Sequence, residues 1–186
     1  LYRYTAGVGF KYYDAVVTLA QAIVDMYPWG DHMYFAYGAV AGMQRMDTYE
    51  VFATISSTYA DMFTAWNGYL WRAYGANVYY SVDGSTWSAA IDIGEKVEAI
   101  CGMGNDMYAA TKVGLYRIAP GDIVYGVANW GTLVDNIGAL GTSSSMVNFA
   151  GDLYVAVDNR IIRYTQSGQM SDVWLKDSGD LPTEYH

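Results

Sequence analysis

The chain has 186 residues, 53% of them hydrophobic and only 16% charged, with a formal net charge of −9. That is enough apolar material for a core. Ten scattered basic residues against nineteen acidic ones exclude the clustered Lys and Arg of a nucleic-acid surface, and no apolar run is long enough to span a bilayer.

In chain order, Leu1-Tyr-Arg-Tyr4 opens a segment, residues 1–21, that reads as the outer half of a sheet unit. Ala15 to Val24 has helical potential, but Val16, Val17 and Thr18 are β-branched, so two strands joined across a unit boundary are expected there. Residues 22–57 hold Trp29-Gly-Asp-His-Met-Tyr-Phe-Ala36, then Met43-Gln-Arg-Met46, then the apolar stretch Tyr49 to Thr54. Residues 58–96 repeat that order with Trp66-Asn-Gly-Tyr-Leu-Trp-Arg-Ala73, Val78-Tyr-Tyr-Ser81 and Thr86 to Ile91. Residues 97–138 do so with Met103-Gly-Asn-Asp-Met-Tyr-Ala-Ala110, Leu115-Tyr-Arg-Ile118 and Thr132 to Asp135. Residues 139–180 follow with Phe149-Ala-Gly-Asp-Leu-Tyr-Val-Ala156, Ile161-Ile-Arg-Tyr164 and Asp172 to Lys176, and residues 181–186 are a tail or the start of a further unit.

The anchors Met33, Leu70, Met107 and Leu153 recur roughly every 40 residues, each after a Gly/Asn/Asp turn and before an aromatic, any residue and Ala. Gly-Asp, Asn-Gly and Asn-Asp pairs supply the positive φ that two-residue hairpins need. Each unit therefore reads as four antiparallel strands, the signature of a β-propeller blade, and the fold expected is all-β with about four and a half blades. Ala36, Ala73, Ala110 and Ala156 suit strands crowded near a central channel. Four and a half blades do not close a ring. The chain, opening on Leu1, is thus expected to be a section of a longer propeller or to complete itself by oligomerising.

Tyr80-Ser-Val-Asp-Gly-Ser-Thr-Trp87 resembles a shortened Asp-box, the Ser-x-Asp-x-Gly-x-Thr-Trp turn of sialidase-like and other propellers, with one residue missing between Asp83 and Gly84. Similar turns occur in propeller proteins of phage tails and cell surfaces. The resemblance implies a structural turn of Ser81, Asp83, Gly84, Thr86 and Trp87, in which Ser81 and Asp83 bond to the backbone and Trp87 packs between sheets. Asp-boxes lie at blade peripheries, so it bears on fold and not on activity.

A sialidase would need three converging arginines, but Arg3, Arg45, Arg117 and Arg163 share one repeat position and point in rotating directions around a ring. Each is expected to pair with a nearby carboxylate or to stack on an aromatic ring. Arg72 and Arg160 break the series and are too few for a triad. Glu50, Glu95, Glu98 and Glu184 sit in no motif; His32 reads as an exposed hairpin residue and His186 as terminal. Ser143-Ser-Ser145 reads as a loop, and Cys101, the sole cysteine, as a buried inert thiol. Asp177 and Asp180 read as a solvated turn, and neither zinc nor EF-hand spacing is present. No catalytic set, cofactor or metal site is expected.

What remains is a rigid disc that binds through aromatics. Trp66, Tyr74 and Trp130 are the ligand-contact candidates, Trp130 because it stands outside the aligned series, and Tyr27, Trp29 and Trp71 are further ones. The expected role is a non-catalytic structural or binding component of an extracellular or virion assembly, such as a phage tail, making protein or glycan contacts. The alternative is a lectin or a sialidase-like hydrolase.

Overall fold

A computed structural model describes residues 2–5, 9–12, 22–39, 41–49, 51–55, 59–119, 125–130, 145–157 and 160–175. The chain divides into two compact units, Leu1–Ala60 and Asp61–His186.

In the first unit β1 (Tyr2–Thr5) and β2 (Gly9–Tyr12) form an antiparallel hairpin in which Arg3 faces Lys11 across the ladder. A four-stranded antiparallel meander follows: β3 (Asp25–Trp29), β4 (His32–Ala36), β5 (Gln44–Asp47) and β6 (Phe52–Thr54). Of the stretch Ala15 to Val24, where strands joined across a unit boundary are expected and a helix is the alternative, residues 15–21 lie outside the described residues and residues 22–24 form neither helix nor strand.

The second unit contains three further meanders. They are β7 (Met62–Trp66), β8 (Tyr69–Tyr74), β9 (Asn77–Ser81) and β10 (Ile91–Asp92); then β11 (Val97–Met103), β12 (Asp106–Thr111), β13 (Gly114–Ile118) and β14 (Tyr125–Asn129); then β15 (Met146–Phe149), β16 (Asp152–Val157), β17 (Arg160–Tyr164) and β18 (Met170–Leu175). All pairings are antiparallel between sequence neighbours.

The first turn of each four-stranded sheet has a positive-φ residue at the same repeat position: Gly30, Asn67, Gly104 and Ala150 at φ of 56°, 51°, 61° and 52°. In the third unit the turn is Gly104-Asn105, not the Asn105-Asp106 pair expected from sequence, because Asp106 already pairs with Met103 in the ladder. The fourth strand of that unit also differs. It is β14, at Tyr125–Asn129, while Thr132 to Asp135 lie outside the described residues.

Period-two alternation explains how the sheets of the second unit pack. On β12, Met107 and Ala109 face one way, into a core shared with Trp71, Ala73 and Val78 of the preceding sheet. Tyr108 and Ala110 face the other way, into a core shared with Leu153, Val155, Val157 and Ile162 of the following sheet. β11 serves both cores by the same alternation, and the register shift between Val97 and Ala99 turns Val97 to the side of Ile100. The middle sheet is thus buried on both faces. That face-to-face stacking of four-stranded meanders, repeated between successive sheets of the second unit, is a β-propeller arrangement.

Candidate functional site

The turn after β9 is built from two short side chains. Ser81 Oγ accepts from Gly84 N at 2.8 Å and donates to Asp83 Oδ1 at 3.0 Å. Asp83 Oδ1 accepts from Ser85 N and Thr86 N, both at 2.7 Å. The Thr86 and Ser85 amides hold the Asp83 carboxyl well below the usual carboxylate range. Gly84 sits at φ 68°, where a side chain would be strained.

Trp87 leaves this turn to lie 6.5 Å from the Phe63 ring of its own sheet. The Arg72 guanidinium stands over both the Tyr79 ring, at 3.9 Å, and the Trp87 ring, at 4.7 Å. Arg72 is 1% exposed, and burial lowers its pKa to about 10. Sequence reasoning set Arg72 aside as a break in a series. The signal that could have found it is register: Arg72 faces Tyr79 directly across β8 and β9.

The repeat arginines have a common geometry. Arg45, Arg117 and Arg163 lie opposite Tyr34, Tyr108 and Tyr154 in their ladders. Arg163 Nε donates to Asp152 Oδ2 at 2.8 Å, and Arg117 Nε lies 3.5 Å from Asp106 Oδ2 with its guanidinium 4.5 Å above the Tyr125 ring. Each of these pairs is contained in one sheet. The Arg3 side chain lies outside the description.

The aromatic candidates are not brought together. Trp130 is 0% exposed, and its Nε1 donates to Thr111 O at 2.8 Å inside the core between the last two sheets. That corrects its expected place among the ligand contacts: no face of the ring reaches solvent. Trp66 lies against the backbone of Gly102 and donates from Nε1 to Gly104 O at 3.0 Å, so one ring face is taken by the next sheet. Half-buried Tyr74 closes the opposite end of β8, about 17 Å of strand from the Trp66 tip.

Other polar groups have local partners. Glu98 is buried and accepts from Lys96 Nζ at 3.0 Å; Glu95 is exposed. His32 begins β4 half-buried, with its ring 6.2 Å from that of Tyr34, and is not the exposed turn residue expected. Burial pushes the half-buried Cys101 thiol up. Glu50, Asp177, Asp180, Glu184, His186 and Ser143-Ser144 lie outside the described residues. Among the described residues no three His, Cys, Asp or Glu side chains cluster as metal ligands would, and no helix is long and apolar enough to cross a membrane. A shallow groove of about 250 Å³ runs along β13 and β14 past Tyr116 and Asn129, smaller than ordinary ligand pockets.

The fold, then, is a β-propeller in which Arg117 and Arg163 pair inside their own sheets, while Trp66, Asn67 and Asn148 bond to the backbone of the sheet beside them. No family model matches the chain, and no curated protein matches it in sequence. Solved structures do match. A catalytically inactive virginiamycin B lyase from Staphylococcus aureus with quinupristin superposes with a TM-score of 0.70 at 14% identity, over 92% of this chain and 61% of that one. The extracellular domain of a candidate hybrid two-component system from B. thetaiotaomicron gives 0.69 at 13% identity, over 94% of this chain and 25% of that one. A streptogramin B lyase gives 0.65 at 11%, over 81% and 53%. At such identities the likeness carries the fold alone. The chain spans only part of the length of each of these propellers.

Proposed function

We propose that the chain is a non-catalytic binding or structural propeller segment of a larger extracellular assembly, making contacts with protein. One observation carries this reading: Arg117 and Arg163 are each tied to a carboxylate of their own sheet, Asp106 and Asp152, and do not converge on a common point. Lyases on the same fold are reason enough not to argue from fold to chemistry. The non-catalytic reading rests on side chains. The extracellular setting is supported by the similarity to the extracellular domain of the two-component system, and a virion or phage-tail setting is its narrower form, motivated by the turn from Ser81 to Trp87. In this reading Ser81, Asp83, Gly84, Thr86 and Trp87 are structural, as are Arg3, Arg45, Arg117 and Arg163. The units 22–57, 58–96, 97–138 and 139–180 are successive blades, with 1–21 the outer half of another.

The test has two arms. Cross-linking mass spectrometry on the surface or secreted fraction of the source should join the chain reproducibly to a defined protein. Incubation with a sialoside or with quinupristin should leave both intact. Turnover of either would overturn the reading. So would a specific sugar on a glycan array whose retention is lost in Trp66→Ala or Tyr74→Ala, which would establish the lectin alternative.

A further inference from the structure

The chain has one Asn-Gly pair, Asn67-Gly68, and one Asp-Gly pair, Asp83-Gly84. Glycine has no Cβ to crowd its own amide nitrogen, which can therefore attack the side-chain carbonyl carbon of the residue before it and close a five-membered imide. Every other asparagine of the chain precedes a residue with a side chain.

At Asp83-Gly84 the fold blocks this closure. Gly84 N donates to Ser81 Oγ at 2.8 Å, and Asp83 Oδ1 accepts from Ser85 N and Thr86 N at 2.7 Å each. The attacking amide and the carboxylate are held by different partners. At Asn67-Gly68 no such hold is built. The ladder pairs Trp66 with Tyr69, so Asn67 and Gly68 form the whole turn and the Gly68 amide lies outside the ladder. Both residues are exposed, and a Cβ on Gly68 would meet nothing within 4 Å. Their φ values of 51° and 78° fit a type I′ hairpin turn. Ring closure brings Gly68 N into line with Asn67 Cβ, which sets ψ of Asn67 to about −120°, the value at the first central position of a type II′ turn. That turn keeps the positive φ Asn67 already has and differs by a flip of the 67–68 peptide plane. Glycine at 68 accepts either side of the flip, and both turns join the same two strands.

We propose that Asn67 is a site of spontaneous deamidation in the folded chain. Gly68 N bonds to Asn67 Cγ, the Cγ–Nδ2 bond breaks, and ammonia leaves with the proton from the Gly68 amide. Water then opens the imide. Cleavage at Cγ gives aspartate, and cleavage at the main-chain carbonyl gives isoaspartate, whose backbone runs through Cβ and Cγ. The product changes a contact between sheets. Asn67 Nδ2 donates to Asn105 O at 2.8 Å in the turn of the next sheet. A carboxylate has no proton to donate there and sets a negative oxygen against a carbonyl oxygen, leaving Trp66 Nε1 on Gly104 O to hold the tip. Isoaspartate also lengthens the main chain of a two-residue turn. Deamidation thus loosens the β7–β8 tip from the β11–β12 turn as the protein ages.

The experiment incubates the full wild-type chain in mildly alkaline buffer, folded and in urea, and follows it by peptide mass spectrometry and isoaspartate methyltransferase labelling. In the folded chain the Asn67 peptide should gain the mass of an amide turned acid before any other asparagine peptide, with isoaspartate the major product and Asp83 unlabelled. Asn67→Gln should lose the gain, because its longer side chain has to close a six-membered ring. The acidic fraction, separated by anion exchange, should unfold at a lower urea concentration than the intact one. Conversion of Asn67 only in urea overturns the proposal, as does earlier conversion of another asparagine or labelling of Asp83 as early as Asn67. An acidic fraction as stable as the intact chain would overturn the loosening of the tip.

Discussion

The Asp83 carboxylate accepts three hydrogen bonds in its turn, yet it is exposed, so its effect should be read through pH. Its folded-state pKa lies below the ordinary carboxylate value of about 3.9. The unfolded chain therefore binds a proton more readily in acid, and the stabilisation is fully present above about pH 4 and lost as pH falls through the folded value. Asp83→Asn should lower the melting temperature at neutral pH, and its difference from wild type should shrink toward zero as the buffer is taken below pH 4. A difference independent of pH would mean that the carboxylate charge is not what ties the turn. Trp130 contrasts with it. Trp130→Ala removes a fully buried ring and its bond to Thr111 O, and should cost about 3–5 kcal/mol in urea unfolding. The sequence marks Asp83 because its partners lie within three residues. It cannot mark Trp130, whose burial depends on Leu153, Val155 and their neighbours far along the chain.

At the level of strands and turns, the hairpins were the most legible feature and the outer strands the least. The first-to-second-strand hairpin carries turn residues, an anchor and an aromatic at fixed offsets, so four copies align by eye. β10 is two residues long and β14 is largely exposed, so neither has a buried face to impose alternation on its sequence. That is why the fourth strand of the third unit was placed too late. The hairpins also make a prediction about stability. Ala150 occupies the left-handed position held by Gly30, Asn67 and Gly104, at a cost of roughly 1–2 kcal/mol for a residue with a Cβ. Ala150→Gly should raise the urea midpoint by a substantial part of that, whereas Ala110→Gly inside β12 of the preceding sheet should lower it. A second prediction concerns packing between sheets. A Cβ on Gly102 would fall 2.0 Å from the Trp66 ring, so Gly102→Ala should destabilise by about 1–3 kcal/mol. Trp66→Leu should absorb much of that penalty in a double-mutant cycle; strictly additive effects would show that the ring does not rest on this glycine.

At the scale of the molecule, stability should follow how many neighbours each sheet has. In repeat architectures each unit is held by its own strands and by the interfaces on its two sides. Within Asp61–His186 the sheet β11–β14 has both faces buried, in one core with Trp71 and Val78 and in another with Leu153 and Ile162. The sheet β15–β18 has one such face, and its other presents Phe149, Val147 and Ile161 to solvent. Amide exchange of β12 should therefore be the slowest in this unit, approaching the global unfolding limit, because no local opening frees it without breaking two cores. The amides of β16 should exchange through a cheaper opening that breaks only the core around Leu153 and Val155. Measured at a dilution where the chain runs at its monomer mass, this order reports the intramolecular stack alone. If β16 there proved as slow as β12, nearest-neighbour packing would not govern the unit. In that case the cores on either side of β12 would have to unfold together with the last sheet as one cooperative block.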